Sequence, residues 1–356
     1  MTKINVALLF GGGPPGPLGH DMSVEFARSV YEALDRKQYN PILVAVASDG
    51  NWWLQENTNG FPLRPGSSSA QLILLPAGRG KALVHRHDEN NSTCNVDVAF
   101  PISPYACTGL LEIARVPFVG SRLPAPAICG DKQILKRILR DAGLPIARSL
   151  VLTTKEEVKF QFAQEALGSP SLFVKPATLY NSMGVSKVTC ETEFEAAVDL
   201  AFRYDSKVLV EEYVQARELE CAVLPDIDQP SKLLCSWPSE IIPDEHAFYT
   251  AQAKLDEKGV VLKTKAELDD AEADRVRSLS CEAFRVIGCE AMARVDFFMR
   301  PNAELLINEV GVYPALGPSS AFPRMMKESG IPYKVLIQRL LEDAIKRSER
   351  AKIPMT

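Results

Sequence analysis

Short apolar runs alternate along the chain with segments of helical spacing, and turn residues separate them. Residues 3–10 (Lys-Ile-Asn-Val-Ala-Leu-Leu-Phe) run into Gly11-Gly12-Gly13-Pro14-Pro15-Gly16. Apolar positions at helical spacing follow from about 22 to 35, then a second apolar run at 42–47. Strand, glycine-rich loop, helix, strand is the opening of an α/β unit with a parallel sheet. Trp52, Trp53 and the polar stretch to Ser69 predict a hairpin and an exposed connection. Residues 96–102 predict another buried strand, Leu110, Leu111 and Ile113 a helix, and 116–120 a short strand that closes the unit.

The texture changes near residue 121. Pro124, Pro126 and Gly130-Asp131-Lys132 lead into a basic amphipathic helix, 133–142, stopped by Gly143 and Pro145. Strands follow at 149–152, 171–175, 185–189 and 207–213, with helices at 154–168 and 193–202 and a turn at 176–184. Beyond 215 come strands at 218–224 and 233–236, a long polar loop at 243–260 and a helix at 269–287. A hairpin and a helical tail end the chain. These shifts divide the chain into an N-terminal α/β domain (1–120), a central α+β domain (121–214), a C-terminal α+β domain (215–348) and a polar tail (349–356).

The hairpin carries the densest candidate chemistry. Ala-Arg-Val-Asp-Phe-Phe-Met (293–299) and Leu-Leu-Ile-Asn-Glu-Val-Gly (305–311) flank a polar turn. Side chains alternate along a strand, so Arg294 and Asp296 share a face, and Glu309 comes across from the second strand. Such a set is either an ordinary surface ion pair or a site for Mg²⁺ with nucleotide phosphates. Hard cations take carboxylate oxygens and phosphates take arginine. In the first unit Gly11, Gly13 and Gly16 match G-x-G-x-x-G. Two prolines fill the variable positions and the helix starts several residues later, whereas a dinucleotide site needs the helix N-terminus directly under the pyrophosphate. The loop therefore reads as one that contacts substrate at a strand end.

Composition narrows the class. The 356 residues give room for two or three domains, and 46% hydrophobic with 24% charged residues is ordinary for a globular protein. A formal charge of -5 argues against nucleic acid or anionic membranes as partners. No apolar run approaches the ~20 residues that span a bilayer, and the run at 4–10 is too short for a signal peptide. Eight cysteines without C-x-x-C spacing predict free thiols in a reducing, cytoplasmic setting. The four histidines are not clustered as metal ligands.

Taken singly, Lys132, Lys175, Lys254 and Arg294 are ordinary basic residues; their order is what informs. Lys175 ends the apolar strand Phe173-Val174-Lys175, which can place its ammonium in a cleft. Asn181-Ser182-Met183-Gly184 makes a small-residue turn whose N–H groups can cradle phosphate. In Val210-Glu211-Glu212-Tyr213-Val214 an acceptor is followed by a backbone run suited to an adenine edge. With Gly130-Asp131-Lys132, Glu218, Ala253-Lys254, Ala293-Arg294-Val295-Asp296 and Ile307-Asn308-Glu309-Val310, this order resembles the D-alanine–D-alanine ligase branch of the ATP-grasp superfamily, over about 118–330.

The resemblance implies an ATP-grasp fold: a Rossmann-like parallel-sheet domain followed by two α+β domains that sandwich ATP. It implies Lys132 and Lys175 on phosphates, Glu211, Glu212, Tyr213 and Val214 on adenine, Glu218 on the ribose, and Asn308 in the nucleotide site. Lys254 meets the γ-phosphate, Asp296 and Glu309 bind Mg²⁺ (or Mn²⁺), and Arg294 with Ser182 and Lys254 serves catalysis. Ser23, Asn181, Ser319 and Ser320 face the substrates, a carboxylate and an amine joined through an acyl phosphate. A homodimer is implied as well.

This chain departs from the pattern mainly where the family holds its amino acids. Gly19 stands at the glutamate position before Ser23, and Ser103-Pro104-Tyr105-Ala106-Cys107-Thr108-Gly109 replaces the usual acidic loop. Asn181 stands for the first serine of the turn, Leu255 for a tyrosine, and Gly311 for an asparagine metal ligand. The expectation is therefore an ATP-dependent carboxylate–amine ligase for amino-acid-like substrates other than two D-alanines. The alternatives are a catalytically impaired nucleotide-binding protein and a genuine D-alanine–D-alanine ligase.

Overall fold

The structure is a computed structural model that describes residues 2–12, 19–55, 70–86, 92–102, 108–155, 158–179, 183–229, 231–243 and 260–350. Three sheets organise these residues.

The first contains β1 (Ile4–Gly11), β2 (Tyr39–Val46), β3 (Trp52–Gln55), β4 (Ala70–Leu74), β5 (Leu83–His85), β6 (Thr93–Cys94) and β7 (Val98–Pro101), in the order β6-β5-β4-β3-β2-β1-β7. Only β2, β1 and β7 run parallel, with α1 (His20–Ala33) as the crossover; β3 to β6 extend the sheet as an antiparallel meander. The parallel heart matches the expectation, whereas β4 to β6, two to five residues each, were not expected because they are too short to show a clear alternation. The strand expected at 116–120 reduces to a single bridge, Ala99 to Phe118, after α2 (Thr108–Ala114).

Two helices link this sheet to the next, α3 (Pro124–Cys129) and α4 (Lys132–Asp141). Proline at the start of α3 lacks only an N–H that would have no partner there, so the pair read as a lead-in makes a turn of helix instead. Asp131 caps α4 by accepting from the N–H groups of Gln133 (3.0 Å) and Ile134 (3.1 Å), which makes Lys132 the first helical residue. The second sheet is antiparallel, β10-β9-β11-β8, from β8 (Ser149–Leu152), β9 (Leu172–Pro176), β10 (Ser186–Val188) and β11 (Val208–Glu212). Two helices, α5 (Phe160–Leu167) and α6 (Glu191–Ala201), cover one face.

In the third sheet the order is β15-β14-β12-β16-β17, with β13 beside β12. Its strands are β12 (Arg217–Pro225), β13 (Leu233–Cys235), β14 (Ser239–Pro243), β15 (Val260–Lys263), β16 (Ala293–Met299) and β17 (Leu305–Gly311). Strands β14 and β15 flank the segment read as polar loop. Beneath the sheet lies α7 (Asp270–Ile287), opened by a capping box between Asp269 and Glu272 and closed by left-handed Gly288. Two helices, α8 (Ala321–Glu328) and α9 (Tyr333–Arg350), end the described chain. Since α9 runs to Arg350, the first two residues of the expected polar tail are helical.

Central β12 is buried on both faces. Leu219, Cys221 and Val223 pack into a core with α4 and α7, while Ala222 and Leu224 join a different core that includes β1, α1, α8 and α9. Terminal helices of the chain thus pack onto its first sheet. Arg347 of α9 reinforces this junction: it bonds Asp343 (2.7 Å), Glu290 (2.6 Å) and the carbonyls of Phe118 (3.2 Å) and Gly120 (3.1 Å). Arg347→Ala should destabilise the protein by roughly 1–3 kcal/mol, since it strands the Asp343 carboxylate and two carbonyls while Glu290 keeps Arg122. Arg347→Lys should recover only part of the loss, because an ammonium cannot fork across four acceptors. Urea unfolding midpoints of the two variants check this.

Candidate active site

The end of β1 shows how a local constraint shapes the first wall. Gly11 has φ 89°, and a Cβ there would run into the carbonyl of Val46. Its N–H donates to the Ser23 hydroxyl (2.9 Å), which in turn donates to the Ile102 carbonyl (3.2 Å). Ser23 is buried and ties the ends of β1 and β7 together. Its expected substrate contact would have to share a hydroxyl already used twice. Residues 13–18 and 103–107 lie outside the described residues, as do Asn181, Ser182 and Lys254.

Lys132 at the start of α4 directs its ammonium to the Leu179 carbonyl, and its N–H donates to Ala177 O (2.9 Å). It therefore lies against the turn that leads to 180–182. Gly184 beyond that turn has φ 71°, and a Cβ would press on the Pro176 ring at 2.9 Å. Lys175 points from β9 onto Glu211 of β11, 2.7 Å away. Lys136 of α4 approaches the other oxygen of the same carboxylate at 3.1 Å. Glu211 and Lys136 are both about 4% exposed. Sequence reading gave Glu211 to adenine and overlooked Lys136. In the structure the carboxylate faces two ammonium groups, and helical spacing from Lys132 was the signal that could have found the second.

Burial alone pushes the Glu211 carboxyl up, but the charges of Lys136 and Lys175 together outweigh it and hold the group at about 2. Burial pulls the Lys136 ammonium down further than Glu211 and Glu309 restore it, with Lys175 adding to the fall. The next residues are committed differently. Glu212 takes the N–H of Arg148 (2.8 Å) and the guanidinium groups of Arg148 and Arg300 (2.9 Å each). Tyr213 lies under the Lys187 ammonium, 3.7 Å from the ring centroid, and its N–H donates to Ser171 O (3.0 Å). The side chains of Glu212 and Tyr213 thus brace the strand end, which leaves backbone groups for any adenine edge. Val214 joins Ala147 and Leu306 in a small apolar cluster, with Ala216 and Phe298 against it.

The hairpin supplies the polar floor. Residues of β16 alternate, with Ala293, Val295, Phe297 and Met299 buried and Arg294, Asp296 and Phe298 on the opposite face. Asp296 is in register with Glu220 of β12 on one side and Glu309 of β17 on the other. Three carboxylates thus form one rung across three antiparallel strands. A register shift between Asp296 and Phe297 makes Asn308 the extra residue of a bulge. That bulge turns Glu309 to the polar face while Ile307 and Val310 both stay in the core. Arg294 holds Asp296 through two bonds (2.7 and 2.6 Å) and reaches Glu220 at 3.2 Å. One guanidinium does not offset three acids. Burial, countered by Arg294 and reinforced by Glu220 and Glu309, drives the Asp296 carboxyl up to about 8. Glu220 escaped the sequence reading because a lone acid in an apolar strand carries no motif. Glu218, two residues earlier, shares the face of Glu220 and pairs in register with Phe298.

Among the described residues no cluster of three or more donors is arranged to hold a metal unaided. Asp296 and Glu309 are hard oxygen donors on one rung in an electron-rich, half-buried setting, which fits a Mg²⁺ ion that takes its remaining ligands from phosphate and water. Gly311 faces Arg294 in register and offers no side-chain ligand. Ser320 caps α8 with its side chain unbonded to the helix, and exposed Ser319 precedes it, so the free N–H groups of that helix end favour an anion.

A family model described as D-ala D-ala ligase N-terminus matches residues 5–121, and one described as D-ala D-ala ligase C-terminus matches 138–342. The chain is 38% identical over 354 residues to D-alanine--D-alanine ligase A of Brucella suis, covering 97% of this chain and 98% of that protein. It is 40% identical over 357 residues to D-alanine--D-alanine ligase A of Mesorhizobium japonicum, with the same coverage. Among solved structures, the D-alanine-D-alanine ligase from Coxiella burnetii superposes with a TM-score of 0.83 at 27% identity, covering 98% of this chain and 95% of that one.

The buried ion triad generates a pH prediction. A carboxyl held below its ordinary value stabilises the fold above 4.5 and loses that contribution as pH falls towards about 2. Glu211→Gln should therefore destabilise the protein most near neutrality, by ~3–5 kcal/mol because Lys136 loses its counter-charge. The gap to the parent should narrow as pH drops below 4.5. Urea titrations over that range measure it; a gap that stays constant down to acid pH would show that the triad does not titrate this way.

Proposed function

We propose, from the premise that the chain belongs to the D-alanine–D-alanine ligase family of ATP-grasp enzymes, that this ATP-dependent C–N ligase joins D-alanine to D-alanine. The observation that carries the choice of substrate is the full-length similarity, 36–40% identity, to proteins of that name. The expectation of other substrates rested on departures in the amino-acid pocket and gains no support from these relatives.

In this reading ATP enters between the second and third sheets. The base packs on the cluster of Val214, Leu306 and Phe298, and its polar edge meets backbone groups of 212–214. Glu218 faces the ribose, Asn308 lies beside the phosphates at the bulge, and Lys132, Lys175 and Lys254 neutralise phosphate charge. Mg²⁺ on Asp296 and Glu309 offsets repulsion between phosphates. A carboxylate oxygen of the first D-alanine attacks the γ-phosphorus and ADP leaves, giving an acyl phosphate. The amine of the second attacks the acyl carbon, and phosphate departs as the amide forms. Arg294, oriented by Asp296 and Glu220, lies ready for the oxyanion of that second step. Ser23, Asn181 and Ser182 are assigned to the first substrate and the turn over the phosphates. Ser319, Ser320 and the α8 N-terminus are assigned to the second carboxylate. Residues 1–120, 121–214 and 215–348 are the corresponding substrate, central and C-terminal domains, and a homodimer is the proposed assembly.

A second reading keeps the chemistry and changes the substrates. Gly19, Leu255 and Gly311 favour it, since each removes a polar group from the family's pattern. Phosphate release across a panel of D- and L-amino acids separates the two. The expected result is release that depends on D-alanine, with a dipeptide product. Arg294→Ala should lower kcat about 10²–10³-fold, and Glu309→Gln should abolish turnover. Activity only with another amino acid supports the second reading. No turnover with any pair, despite ATP binding, favours a nucleotide-binding protein without catalysis.

A further inference from the structure

Away from the site, two thiols meet where β13 crosses α7. Cys235 Sγ lies 2.9 Å from Cys281 Sγ, closer than an ordinary sulfur contact and approaching the ~2.05 Å of a disulfide bond. Both residues are partly exposed, so a small oxidant can reach them. Cys221, the neighbour on β12, is fully buried, and its thiol is directed to the Ser236 carbonyl at 3.6 Å. Arg277 and Arg285 flank Cys281 one turn away on either side, on the same face of α7. A hydrogen bond from Cys235 first, then the Arg285 and Arg277 charges, bring the Cys281 thiol down to about 7 against the effect of burial.

We propose that Cys235 and Cys281 form a reversible modification site, which hydrogen peroxide converts to a disulfide that staples edge strand β13 to helix α7. The Cys281 thiolate attacks one peroxide oxygen and the O–O bond breaks. Sulfur is oxidised to a sulfenic acid, and the other oxygen leaves as hydroxide and becomes water. The Cys235 sulfur then attacks Cys281 sulfur; the S–O bond breaks and a second water carries away the Cys235 proton. Two thiols and one peroxide thus give one disulfide and two waters. The two elements are already packed together around β12, so the bond fixes an existing contact. It closes a loop of 46 positions and limits the unfolded chain more than the folded one.

The test treats the full chain with hydrogen peroxide, blocks remaining thiols, and measures intact mass, peptide map and thermal midpoint. The expected result is a loss of two hydrogen masses, a Cys235–Cys281 cross-linked peptide, and a midpoint raised by several degrees that dithiothreitol reverses. Cys281→Ser should remove all three effects, and Cys129→Ser should leave them unchanged. Oxidation of Cys281 to the sulfinic acid without a cross-link, a cross-link from Cys235 to Cys221, or no oxidation would each overturn the proposal. None of these readouts requires ATP or turnover, so the outcome is independent of the proposed reaction.

Discussion

Antiparallel register across β12, β16 and β17 is the constraint on which the candidate site depends. It places Glu220, Asp296 and Glu309 on one rung, where like charges side by side are unfavourable unless a cation joins them. Arg294 partly meets that demand from the same strand face. The core on the opposite face fixes the register, because slipping β16 by one residue would turn Val295 and Phe297 outward. The fold is thus held by apolar packing on one side and charged for binding on the other. A divalent cation fits into an arrangement that the hydrophobic core has already enforced.

A second concentration of charge lies where α4 meets the central sheet. Glu211 sits between Lys136 and Lys175, and Glu309 is near enough to act on the Lys136 charge. The lysine cluster and the acid rung are therefore electrostatically coupled. Burying three charged groups is costly, and their mutual contacts offset that cost only in one geometry. This makes the triad a device that holds Lys175 in one orientation at the end of β9.

Much of the candidate site was legible because its residues sit in strongly patterned segments. Arg294 and Asp296 follow a strict alternation, Lys132 follows a capping aspartate, and Lys175 ends an apolar strand. Lys136, Glu220 and the bulge at Asn308 were not found. Lys136 lies one helical turn beyond Lys132, but that spacing shows only a shared face, and the approach of β11 supplies its partner. Glu220 needs knowledge of which strand lies beside β16. Short β4 to β6 are held by their neighbours in the sheet more than by their own composition.

By itself the sequence determined the longer strands and helices, the chemistry offered at their ends, and the family, since these follow from local periodicity and ordered motifs. Tertiary structure alone decided which of those groups meet. The Glu211 carboxylate, on the strand expected to meet adenine, becomes the partner of two lysines because elements far apart in sequence bury it between them. Glu309 reaches the polar face because a bulge reconciles two core positions, Ile307 and Val310, three residues apart in a structure of period two. Side-chain periodicity is a local property, whereas desolvation and pairing of charge arise only when distant segments pack.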